Sequence, residues 1–159
     1  MTDIYLADWI NIDGNLIHRT AIIADGVKMG VGNVVYPYAI IGLEGFIRGG
    51  KQLTDTVTIG NDNRIGAHTC IMGRATIGND NIIMNFVNIG HDCTIGDGNE
   101  IGAGCIISGY ARIENECQLK VHATVRNRVG IGDRCIVGMG SNVVSSIYPN
   151  SKVKGNPAR

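Results

Sequence analysis

The chain has 159 residues, and its 14 lysines and arginines balance 14 aspartates and glutamates. No basic field points to nucleic acid, no acidic tail points to a basic partner, and no apolar run approaches the roughly 18 residues needed to span a bilayer. With 23 glycines, three prolines and few aromatics, the composition favours short buried strands joined by tight turns over helices.

The first dozen residues carry acids and a tryptophan but no basic segment followed by an apolar one, so they do not read as a signal peptide. Five cysteines, an odd number without an export signal, point to a reducing cytoplasm and free thiols. Residues 1–16 are expected to form a non-repeating cap, with Trp9 over an open apolar end.

From Ile17 onward a large aliphatic stands at every sixth position: Ile17, Ile23, Met29, Val35, Ile41 and so on to Val143. Glycine often follows it, as at Gly60, Gly78 and Gly90, where a corner is expected to need unusual backbone angles. Two places before it sits a small side chain, such as Ala75, Cys93, Cys105, Cys117 or Cys135. A period of six suits neither a helix nor a hairpin sheet. It suits a triangular parallel coil with six residues per side and 18 per turn.

The 18-residue unit is visible from VTIGNDNRIGAHTCIMGR (57–74) to VGIGDRCIVGMGSNVVSS (129–146). Residues 18 apart should stack on adjacent rungs about 4.8 Å apart. Asn63, Asn81 and Asn99 are so spaced and predict an amide ladder. Ile41 and Ile59 keep the phase, one coil apart, so the loop-like stretch at about 43–58 reads as a coil-length excursion. The prism is expected over 17–148, about seven coils, with a tail at 149–159 that leaves the repeat at Pro149. Outward Val31, Tyr38, Met72, Met84, Phe86 and Met139 predict association, most simply three flat-sided prisms in a homotrimer.

This pattern of isoleucine-glycine steps resembles the hexapeptide-repeat acyltransferases, the left-handed β-helix superfamily, over residues 17 to 159. The left hand is implied by the resemblance, since parallel crossovers ordinarily take the other. Residues 79–97, NDNIIMNFVNIGHDCTIGD, are similar to the catalytic section of UDP-N-acetylglucosamine acyltransferases. Their His-Asp-Cys step also resembles sugar-nucleotide N-acetyltransferases. The ending Gly155-Asn156-Pro157-Ala158-Arg159 is similar to the tail of acetyl-CoA-dependent members.

The resemblance implies an acyltransferase that moves a short acyl group, acetyl from acetyl-CoA, to an amine or hydroxyl of a sugar or nucleotide sugar. It implies His91 as general base, since imidazole suits proton abstraction near neutral pH. Asp92 would orient the ring, and the backbone N–H of Gly109, one rung on, would receive the oxyanion. Asn85 and Tyr110 are expected to line the acceptor site, and Lys154 and Arg159 to meet the CoA phosphates. No tightly bound cofactor and no metal site is expected.

Two other readings remain open. One is a metal-dependent γ-type carbonic anhydrase, which shares fold and tail but needs three histidines, two of them close together. No histidine here pairs with His91 at short spacing. His68 and His122, three coils apart, read as surface residues. The other is a non-catalytic β-helical scaffold.

Overall fold

The computed structural model describes residues 8–44 and 56–159. Short strands recur at every sixth residue and stack into three parallel sheets, the faces of a triangular prism of about seven turns. The first face runs from Asn15–His18 through Arg64–Ile65 and Ile82–Ile83 to Lys152–Val153. The second includes Cys70–Met72, Asn88–Ile89 and Ile106–Ile107, and the third includes Thr76–Ile77, Thr94–Ile95 and Arg112–Ile113. Among the described residues, no helix is long and apolar enough to cross a membrane.

The aliphatic column makes the core. Ile65 pairs with Ile83 and Ile83 with Ile101, so each interior isoleucine rests on another one coil away. From Val35 onward the described members of the column are buried, while Ile23 and Met29 near the amino-terminal end are only partly covered. Burying each such side chain contributes roughly 1.5–3 kcal/mol. Cys93, Cys105, Cys117 and Cys135 fill the interior beside them as free thiols, each directed at a carbonyl on the following turn of chain.

The excursion differs from the sequence expectation. Ile41 lies on the second face and pairs with Ile71, whereas Ile59 lies on the third and pairs with Met29. Each of these pairs spans five hexads where a single coil spans three, so the insertion adds two hexads. Whole hexads keep the aliphatic phase, but two of them do not complete a coil, so the rung register shifts. Leu43 still pairs with Met72 and Val57 is already in the core, so the excursion is narrower than 43–58. Most of that stretch, 45–55 including Ile47 and Leu53, lies outside the described residues.

At the amino-terminal end, β1 (Trp9–Ile12) runs antiparallel to β2 (Asn15–His18), and β2 is already a strand of the first face. Trp9 packs edge-on against His18 and Tyr36. The apolar end itself is lined by Ile12, Ile17, Ile23, Val27 and Met29. At the other end the tail contributes one more strand, Lys152–Val153 against Ile136–Val137.

The corners also correct the glycine reading. Gly60, Gly78 and Gly90 are not among the residues with positive φ. The left-handed residue stands two places later, and it is Asp62, Asp80 or Asp92. Glycine follows the aliphatic because adjacent rungs approach too closely there. A Cβ on Gly90 would come 2.6 Å from the Gly109 nitrogen, and one on Gly78 would come 2.7 Å from the Gly96 oxygen.

The amide ladder forms and extends further than expected, through Asn15, Asn33, Asn63, Asn81 and Asn99, all buried. Each Oδ1 accepts the backbone N–H of the next member, and Asn81 Nδ2 also donates to Asn63 Oδ1 and Gly96 O. The ladder ends where Cys117 replaces asparagine, and Asn99 Nδ2 is buried there without a partner.

Buried amides without partners lose about 1–3 kcal/mol each. Asn81→Ala leaves the buried Asn99 N–H and the Gly96 carbonyl without partners, so it should destabilise the fold by about 2–4 kcal/mol. The exposed Asn79→Ala should lose about 1 kcal/mol or less, since water replaces its bonds. Urea denaturation of the two variants checks this, and equal losses would contradict it.

Candidate active site

His91 stands at the corner between the second and third faces, after the strand Asn88–Ile89 and before Thr94–Ile95. The corner residue Asp92 takes the left-handed conformation, φ 58°. Along an extended strand, neighbouring side chains would diverge to opposite faces. Here the turn brings the Asp92 carboxylate back to its neighbour, and His91 Nδ1 lies 2.6 Å from Asp92 Oδ2.

That contact fixes the tautomer of the neutral ring. An ionised carboxylate only accepts, so Nδ1 carries the hydrogen and Nε2 keeps the lone pair. Nε2 faces the next rung at Gly109, where a Cβ would come within 2.9 Å of Nε2 and 3.0 Å of Cε1. Any side chain at 109 therefore displaces the imidazole. The backbone N–H of Gly109 has no hydrogen-bond partner among the described residues. The side-chain exposure of His91 is 22 %, enough to meet a ligand while the ring stays constrained.

Arg74, one rung before Asp92 in the same corner column, was not singled out by the sequence. Its Nε donates to Asp92 Oδ1 at 2.7 Å and its Nη2 to Oδ2 at 2.6 Å. The carboxylate is thus gripped by a two-pronged guanidinium and shared with the imidazole. Burial pushes the Asp92 carboxyl up, but the hydrogen bonds and charges of Arg74 and His91 outweigh it and hold the group below the ordinary carboxylate value. The one-coil spacing between Arg74 and Asp92 was the signal available to find it.

Tyr110 is the next member of the same column, φ 62°, and its ring meets the His91 ring edge-on at 5.1 Å. Arg128, one rung further, places its guanidinium carbon 4.7 Å from the Tyr110 ring centre. Cys93 lies in the core, and burial pushes its thiol up to about 11, so it offers no nucleophile to this corner.

Of the other residues read from sequence, Asn85 lies one corner earlier, between the first and second faces, with its Oδ1 accepting the Ala67 N–H. His68 is in that corner too, stacked between Tyr38 and Phe86 at 5.0 Å from each. Lys154 and Arg159 close the tail against each other through paired backbone hydrogen bonds at 3.1 Å. The chain therefore brings His91, Asp92, Gly109 and Tyr110 together, and holds Asn85, Lys154 and Arg159 apart from them. Among the described residues, no three histidine, cysteine or acidic side chains converge as metal ligands would. A concavity of about 660 Å³ lies at the third corner, where Asp80, Asp97, Glu116 and Asp133 outnumber Arg134, a poor setting for phosphates.

The profile of the bacterial transferase hexapeptide family, six repeats, matches residues 74–109, the segment from Arg74 through His91 to Gly109. No curated protein matches the chain significantly in sequence. Among solved structures, a UDP-N-acetylglucosamine acyltransferase from Bacteroides fragilis aligns with a TM-score of 0.87 and 26% identity, over 92% of this chain and 60% of that one. A Caulobacter crescentus protein, solved with CoA and GDP-perosamine, aligns at 0.53 and 24% identity, over 91% and 56%. The acetyltransferase domain of a Neisseria gonorrhoeae protein, solved with acetyl coenzyme A, aligns at 0.57 and 21%, over 92% and 57%. The chain thus spans about 60% or less of these three structures. A superposition as close as the first requires the same hand of coil, in keeping with the left hand that the resemblance implied.

Because the Asp92 carboxyl is held low, the ion pairs it makes contribute stability above the ordinary carboxylate range, and that contribution is lost as pH falls through the depressed value. The stability advantage of the natural protein over Asp92→Asn should shrink as pH falls below about pH 4. Thermal melts across the acid range check this. An advantage that stays undiminished well below pH 4 would contradict the geometry.

Proposed function

We propose that this member of the hexapeptide-repeat superfamily is an acyltransferase that moves a short acyl group, acetyl from acetyl-CoA, to an amine or hydroxyl of a sugar or nucleotide sugar. One observation carries the reading. The lone pair on His91 Nε2 faces a rung whose Gly109 N–H has no partner among the described residues. A thioester carbonyl at Gly109 and an acceptor at Nε2 would then lie on adjacent rungs, about 4.8 Å apart.

In this reading the acceptor N–H or O–H gives its proton to His91 Nε2 as its heteroatom attacks the thioester carbon. The carbonyl oxygen takes up negative charge and receives the Gly109 N–H. Collapse of the tetrahedral intermediate expels the CoA thiolate, which takes a proton as it leaves. General-base catalysis contributes about 10²–10⁴-fold, and a single oxyanion donor about 2.7–4 kcal/mol. Attack is direct, because the nearby cysteine is buried in the core. Asp92 orients the ring through its contact with Nδ1.

Donor and acceptor come from the neighbours. One solved relative holds CoA with GDP-perosamine and another acetyl coenzyme A, while the most similar of the three acylates UDP-N-acetylglucosamine by its name. Tyr110 lies against His91 and is assigned to the acceptor, and Lys154 and Arg159 to the phosphates of CoA. A homotrimer supplies the missing wall. Exposed Tyr38, Ile82, Met84 and Phe86 form an apolar ridge around the Asn85 corner, and packing it against the His91 corner of a second chain buries it and brings Asn85 to the site. Free cysteines accord with a cytoplasmic setting.

His91→Ala should keep fold and assembly and lose about 100-fold or more in transfer rate. Steady-state assays with acetyl-CoA and UDP- or GDP-linked amino sugars measure it, and full activity in the variant would remove His91 from the role. Acetyl-CoA in excess should also raise the melting temperature. If no acyl-CoA of any chain length does so, the transferase reading is wrong.

A further inference from the structure

The geometry points to Arg74 as a positioning residue that lets Asp92 aim the His91 ring without charging it. This rests on the reading of His91 as a base. An aspartate beside a histidine does two things together: it fixes the ring through Nδ1, and its negative charge favours the protonated imidazolium. The second effect works against a base, which must be neutral to accept a proton.

Arg74 separates the two effects. Its guanidinium grips both oxygens of Asp92, at 2.7 and 2.6 Å, and so sets the plane of the carboxylate independently of the imidazole. Asp92 Oδ2 then serves His91 Nδ1 at 2.6 Å from a fixed position. The same guanidinium compensates the carboxylate charge, so the ring is oriented by an ion pair of little net charge. Arg74 and Asp92 are consecutive members of one corner column, φ 61° and 58°, and their side chains are 27 % and 18 % exposed, so water screens the pair only in part.

Among the described residues, the other groups around His91 add no second anion. Tyr110 meets the ring edge-on from the following rung, and the Arg128 guanidinium lies over Tyr110, a second cation beyond the ring. The Cys93 thiol is buried and neutral, with its value pushed up to about 11. Asp92 is the anion that hydrogen-bonds His91, and Arg74 is its counterweight.

The test uses the free 159-residue chain carrying ¹³C-labelled histidine. The His91 signal is identified among the four histidines by its loss in His91→Ala. In Arg74→Gln, removing a nearby cation should raise the pH midpoint of His91. The acid limb of kcat/KM should move up by the same amount, with kcat at neutral pH falling and KM for acetyl-CoA unchanged. Arg74→Lys keeps the charge but not the two-pronged grip, so its midpoint should stay near that of the natural protein while kcat falls. A merely structural role would lower the melting temperature of Arg74→Gln and leave the midpoint in place. An unmoved or lowered midpoint in a folded Arg74→Gln therefore overturns the inference. If the midpoint rises but the natural protein transfers no acyl group, the relay stands and the transferase reading fails.

Discussion

Everything at the candidate site depends on register: a residue here is held by the residue one rung away. Rung spacing in a parallel sheet is set by backbone hydrogen bonds at about 4.8 Å. That spacing delivers Arg74 to Asp92, His91 to Gly109 and Tyr110 to the far side of the ring. Strands and tight corners hold these groups. The Met84 and Gly90 amides find the Ile101 and Ile107 carbonyls at 2.9 and 2.7 Å, and the interior isoleucines lock the same register from inside.

The core and the corners divide the labour. The aliphatic column and the buried amide ladder are alike from rung to rung, and such uniformity makes a stiff prism. The corners change from rung to rung, and their left-handed residues project outward without disturbing the interior. One corner is acidic and another stacks Tyr38, His68 and Phe86. The third carries Arg74, Asp92, Tyr110 and Arg128 around His91. The candidate chemistry is thus written along one edge of an otherwise repetitive scaffold.

Much of this was legible in the sequence for a simple reason: a period of six with one aliphatic per step has few folded solutions. Stacking by whole coils then made the proximity of His91 and Gly109 and the asparagine ladder matters of counting. The same counting failed across the excursion. Two added hexads preserve the hexad period but not the coil period, so Ile41 and Ile59 looked like rung partners and are not. Arg74 was missed because an arginine one coil before an aspartate draws notice only once both are known to occupy one corner. The glycine rule was misread because close approach between rungs and positive φ both select glycine, and only coordinates tell them apart.

The central claim is that the edge at His91 and Gly109 is where a thioester is held and attacked. A crystal structure of the protein with acetyl-CoA tests it most directly. The account predicts the thioester oxygen about 2.7–3.1 Å from the Gly109 nitrogen, with the carbonyl carbon open to a nucleophile hydrogen-bonded to His91 Nε2. Acetyl-CoA bound at another corner, with its thioester remote from both residues, would contradict it.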